Sequence, residues 1–195
     1  FATAPFTMVR VERADNVIIE NLVIDVGAAP DPGFENYVGI WSLETDNLIL
    51  RNNVIRNVRY TVPRQNAACI TLYDTHNARI HNNELYNCDT GLFDKENGMN
   101  NIYEFNYIHD ISGDAHLYTG FSSPRCAPWS CVVQNNAFRN NVIVNAEVGV
   151  RYNTGSEASN LGFYSNTVYN VLAAMTSNNQ DVPNLQIYNN IPKQQ

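Results

Sequence analysis

The chain has little charge, and what it has is the wrong sign for a nucleic-acid partner. Only 16% of its 195 residues are charged, with 12 Lys and Arg against 19 Asp and Glu and a net charge of −7. Phosphate contacts demand a basic face, so nucleic-acid binding is excluded. No apolar run approaches a membrane span. Helical periodicity is missing as well, since no segment holds a 3.6 spacing over helix length. Four cysteines are too few for a disulfide scaffold. With no CxxC pair and no His pair at ligand spacing, a zinc site is excluded too.

What is present is a repeat. Aligning on one asparagine gives Asn16, Asn47, Asn77, Asn100, Asn135, Asn160 and Asn184, at intervals of 31, 30, 23, 35, 25 and 24 residues. Three residues on stands a large apolar side chain each time: Ile19, Leu50, Ile80, Tyr103, Phe138, Phe163, Ile187. Two further come Asn21, Asn52, Asn82, Phe105, Asn140, Ser165 and Asn189, and three beyond those Ile24, Ile55, Leu85, Ile108, Ile143, Val168 and Pro192. A short repeat floor with occasional insertions is the mark of a solenoid whose turns differ only in loop length. The runs between the asparagines are short, rich in Val, Ile, Leu, Phe and Tyr, and bounded by Asn, Asp and Gly, which predicts strands. Asn tolerates left-handed corners, and stacked amides can bond from turn to turn as a ladder.

The repeated Asn-apolar-x-Ile-x-Asn-Asn-x-Ile pattern resembles the right-handed parallel β-helix of pectate lyases and related enzymes acting on pectate, alginate or chondroitin. It covers residues 8 to 191. The resemblance implies an all-β, single-stranded, right-handed parallel β-helix of about seven turns forming one domain over 1–195, secreted or at the cell surface, with an acidic polysaccharide as partner. The same fold hosts hydrolases, epimerases and adhesins, so architecture alone does not give the chemistry. The chain opens in what reads as mid-strand, Met8-Val9-Arg10-Val11. The expectation is a portion of something longer, or a subunit whose uncapped ends associate end to end.

Each repeat also holds a strand before the asparagine corner. Alternation along it predicts an outward column of Arg10, Trp41, Thr71, Phe93, Tyr118, Arg151 and Met175, and a second of Leu43, Tyr73, Lys95 and Asn153. Insertions at Ala28 to Asn36, Arg59 to Asn66 and Phe121 to Ser130 surround this face and would wall a groove. Trp41, Tyr73, Phe93, Tyr118 and Asn153 are the expected sugar contacts, because aromatic faces stack on pyranose C–H groups.

Lys95 and Arg151 leave the same face roughly 10 Å apart, at ~4.8 Å per turn. In β-elimination a base removes the proton α to a uronate carboxylate while a cation neutralises that carboxylate, roles that Lys and Arg can fill. The competing reading is two solvated surface charges. His116, beside Asp114 and Tyr118, is a further acid/base candidate, whereas His76, His81 and His109 read as structural. Glu44, Asp74 and Glu96 form a carboxylate column whose repulsion a calcium ion would offset; capping of corner N–H groups is the alternative. Asp94 should point inward. Cys126 and Cys131, flanking Ala-Pro-Trp-Ser, are expected to form a disulfide, with Cys69 and Cys88 as buried free thiols. Together these residues predict a polysaccharide lyase acting on a uronate-containing glycan; the alternative is a non-catalytic glycan-binding or filament-forming protein.

Overall fold

The computed structural model describes residues 6–29, 36–61, 67–119, 131–153, 158–177 and 182–193. Among them every paired strand is parallel and no helix occurs. The chain is a parallel β-helix. The long strands Phe6–Glu12, Tyr37–Asp46, Ala67–His76, Thr90–Lys95, Asp114–Thr119, Val142–Asn153 and Thr167–Ser177 pair side by side in chain order. The short strands from Ile18–Glu20 to Gln186–Tyr188 form a second, seven-stranded sheet.

The apolar columns read from the repeat are the core. Ile19, Leu50, Ile80, Tyr103, Phe138, Phe163 and Ile187 pair in unbroken register. Ile24, Ile55, Leu85, Ile108, Ile143, Val168 and Pro192 do the same. Leu50, Ile80, Tyr103, Phe138, Ile55, Leu85 and Ile108 are wholly buried. Each such aliphatic or Phe side chain contributes about 1.5–3 kcal/mol by leaving water.

Corners are turned by left-handed residues. The seven aligned asparagines from Asn16 to Asn184 all have φ between 54° and 59°, a region that costs other L-residues about 1–2 kcal/mol. Asn47 donates its side-chain amide to Asn16 at 3.0 Å, and Asn100, Asn135, Asn160 and Asn184 each donate to the preceding asparagine at 2.9–3.2 Å. A second, buried series runs through Asn53, Asn83, Asn106, Asn141, Asn166 and Asn190, bonded amide to amide at 3.0–3.1 Å. Asn106 shows its economy: the oxygen accepts the Asn83 backbone and side-chain N–H groups, while the nitrogen donates to Ile80 O and Asn141 Oδ1. A buried polar corner is thereby satisfied without water.

The cysteines differ from expectation. Cys69 and Cys88 form a disulfide, with Cα atoms 5.9 Å apart. They belong to different columns, but columns describe contact along the stack, and two positions can still face each other across a corner of the coil's cross-section. Cys131 is buried and disulfide-bonded; Cys126, its expected partner, lies outside the described residues. So do most of the three insertions.

Candidate functional site

The long sheet sets the register of the outward face. Its pairings place Arg10, Trp41, Thr71, Phe93, Leu117, Arg151 and Thr176 in one column. Tyr73, Lys95 and Asn153 share the next with Leu43, as the alternation predicted. Tyr118 is a correction: it pairs with Asp94 and Tyr152 and is fully buried inside the coil. Met175 likewise pairs inward, with Val150.

A register difference of one residue accounts for both shifts. Gly39, Gly91 and Gly149 stand where a Cβ would meet the carbonyl oxygens of Cys69, Ala115 and Ala174 at 2.4–2.6 Å. Only a small residue lets the backbones approach that closely, and the large inward residue follows it directly. Aligned on Gly91-Leu92-Phe93, the fifth strand reads Ala115-His116-Leu117, which turns Leu117 outward and His116 and Tyr118 inward. The column of small residues was present in the sequence.

Lys95 holds the most distinctive geometry on the face. Its Nζ donates to Tyr73 Oη at 2.9 Å and lies 4.0 Å from the Phe93 ring centroid and 5.0 Å from that of Tyr73. Burial pulls its pKa down from the usual lysine range to about 8, against a smaller upward pull from Glu96. Asn36 Nδ2 also donates to Tyr73 Oη, at 3.2 Å. Asn36 was missed because it lies at the end of an insertion, where no repeat spacing marks it.

The other candidates are distributed around this pair. Trp41 is buried, edge-on to Tyr73 at 5.9 Å and under the Arg10 guanidinium at 4.6 Å. Phe93 faces outward but is buried, packed with Ala68 and Leu117. Asn153 is half-buried in the Lys95 column. Arg151 is held by Asp114, its Nε lying 3.0 and 2.9 Å from the two carboxylate oxygens. Asp114 is buried, and desolvation raises its pKa although Arg151 opposes the shift.

His116 is removed from the face altogether. It is fully buried between Tyr118 at 4.0 Å and Tyr103 at 4.4 Å, and burial drives its pKa well below the histidine range. It therefore stays neutral inside the core and cannot reach a glycan on the surface. Asp94 points inward, accepting hydrogen bonds from Tyr103 and Asn101.

Glu44, Asp74 and Glu96 sit at a left-handed corner with φ of 50°, 46° and 64°. Glu44 accepts from Arg13 Nε at 2.7 Å, and Asp74 Oδ1 lies 3.3 Å from His76 Nε2. Arg13 thus offsets the charge of Glu44, and His76 lies against Asp74. Among the described residues no group of three or more His, Cys, Asp or Glu is arranged to hold a metal ion. His76, bracketed by Asp46 at 3.0 Å and Asp74, has its pKa raised, chiefly by the Asp74 hydrogen bond.

No family model and no curated protein matches the chain. Among solved structures, the A-module of mannuronan C-5 epimerase AlgE6 from Azotobacter vinelandii superposes on 96% of this chain with a TM-score of 0.53 and 15% sequence identity. The chain spans 57% of the length of that module. The likeness is one of fold, a parallel β-helix.

Proposed function

We propose that this β-helix is an extracellular enzyme acting on an acidic polysaccharide, and that it cleaves a uronate-containing glycan by β-elimination. The observation that carries the reading is the Lys95–Tyr73 pair: an amine with a pKa near 8, hydrogen-bonded to a phenol on the outward face of a rigid sheet. A base of that pKa is matched to removing the weakly acidic proton α to a carboxylate near neutral pH. The structural neighbour named for acting on mannuronan supports the substrate class by analogy of fold. The buried Cys69–Cys88 disulfide supports an oxidising, extracytoplasmic setting. The coil is proposed to wind right-handed through about seven turns, as crossovers between parallel strands of one sheet almost always do.

In this scheme neutral Lys95 takes the α proton, the electron pair forms the new carbon–carbon double bond, and the glycosidic oxygen leaves from the β carbon. Tyr73 donates its hydroxyl proton to the departing oxygen and regains one from the Lys95 ammonium through their hydrogen bond. Asn36 orients the Tyr73 oxygen. Arg151 commits its Nε to Asp114, and its remaining N–H donors neutralise the carboxylate of the reacting uronate, with Asn153 binding the glycan beside it. The steps run on side chains, with Glu44 and Asp74 already engaged by Arg13 and His76.

The test is incubation with a panel of uronate polymers, following ultraviolet absorbance of the conjugated double bond and, in parallel, product configuration by proton NMR. Elimination gives rising absorbance. Inverted uronates without absorbance would assign epimerisation instead, and no change in either would move the protein to the binding class.

A further inference from the structure

Beneath the Lys95 strand the coil interior holds a cluster of polar groups that the proposed chemistry does not use. Asp94, Tyr118 and Tyr152 occupy one inward column on three successive strands. His116 lies beside them, its ring 4.0 Å from that of Tyr118, and the Tyr118 and Tyr152 rings stack at 5.1 Å. Tyr103 reaches in from the facing sheet, 4.4 Å from His116 and hydrogen-bonded to Asp94 Oδ2. All five side chains are buried to 1% exposure or less.

Five atoms of this cluster have no hydrogen-bond partner among the described residues: Asp94 Oδ1, both ring nitrogens of His116, Tyr118 Oη and Tyr152 Oη. Native interiors satisfy the great majority of their buried polar atoms, and an orphan forfeits its hydration without return. Five orphans within one cluster of contacting side chains do not fit a dry core. The facing rings also bring complementary groups together. The tyrosine hydroxyls donate and accept, neutral His116 offers one acceptor and one N–H donor, and Asp94 offers an acceptor.

We propose that the coil interior between the Thr90–Lys95 and Val142–Asn153 strands is a binding site for ordered water, which bridges Asp94 Oδ1, the Tyr118 and Tyr152 hydroxyls and His116. A water among these groups finds the two to four polar partners that internal water requires. The site makes this part of the solenoid a hydrated polar core under the outward face, while the amide series at Asn106 is satisfied by protein alone.

The two descriptions predict opposite signs. Where a hydroxyl is bridged by water, Tyr118→Phe or Tyr152→Phe lowers the folding equilibrium constant, by about five- to tenfold for a hydrogen bond of ordinary strength. Where it is orphaned, the same change removes an unsatisfied group and leaves the constant unchanged or raised. Denaturant unfolding of the two variants reads this directly. Oxygen-17 relaxation dispersion of the wild-type protein provides a measurement that needs no variant: long-lived internal water is expected, with a smaller amplitude in Tyr118→Phe. Neutral or stabilising Tyr→Phe changes, or a wild-type protein without a long-lived water signal, would overturn the proposal.

Discussion

Lys95 donates to the hydroxyl of Tyr73, on the neighbouring strand, across 2.9 Å, with its ammonium carried over the Phe93 and Tyr73 rings. The contact places a titratable amine where the backbone is rigid and water is scarce. Its reach outward, rather than into the core, is what separates it from Asp94, the residue before it in the chain.

Lys95→Met should lower turnover of an acidic glycan by a factor on the order of 10² to 10³, the range for removing a positioned acid or base, while the melting temperature stays within a few degrees of wild type. Wild-type activity should rise as pH increases through about 8, because the base is the deprotonated amine. Steady-state rates across pH check both, and a profile flat from pH 6 to about 9 would remove Lys95 from the base role.

The repeat made this strand legible, yet only part of the site. Lys95, Tyr73 and Asn153 share a column because each stands three residues after the large inward residue of its strand, Leu92, Ile70 and Val150. Tyr118 and His116 did not follow, since their strand carries Ala115 where others carry Gly39 and Gly91, and its first large inward residue is His116 rather than an aliphatic one, which shifts the apparent alternation by one. The Cys69–Cys88 bridge and the Asn36–Tyr73 contact join different columns, so no periodic signal reports them. Burial of the outward Trp41 and Phe93 is equally invisible to a pattern that distinguishes only inside from outside.

Asp94 should make the fold sensitive to acid in an unusual direction. Its burial raises the carboxyl pKa to about 6, outweighing the Tyr103 and Asn101 hydrogen bonds. A group raised above its unfolded value of about 4 stabilises the fold fully below that pH and loses the contribution as pH climbs through about 6. The loss is on the order of 2–3 kcal/mol for a shift of this size. Denaturant unfolding of Asp94→Asn should show a flatter stability profile between about pH 4 and 7 than the wild type.

Asn106→Ala should cost about 3 kcal/mol or more, because it removes the acceptor of the buried Asn83 backbone N–H and the side-chain donor to Ile80 O together. Asn135→Ala, in the exposed series, should cost about 1 kcal/mol or somewhat more, mostly from its left-handed φ of 57°. Chemical denaturation of the two variants measures the gap, and equal losses would contradict the different roles assigned to the two series.

The Cys69→Ala/Cys88→Ala double variant should lose about 3 kcal/mol, the loop-entropy value for a crosslink closing a loop of roughly this length; the native separation is 19 residues. Thiol alkylation under native conditions should leave both wild-type cysteines unmodified. Labelling of either without reductant would show that the bridge is not formed in solution.

The central claim is that the outward face performs elimination on an acidic glycan. Its most direct measurement is continuous ultraviolet absorbance of wild-type protein mixed with polymannuronate, polyguluronate, polygalacturonate and chondroitin in separate cuvettes, with Lys95→Met run beside each. The account predicts rising absorbance from a conjugated double bond on at least one polymer, lost in the variant. No absorbance on any of them, or equal rates for wild type and Lys95→Met, would contradict it.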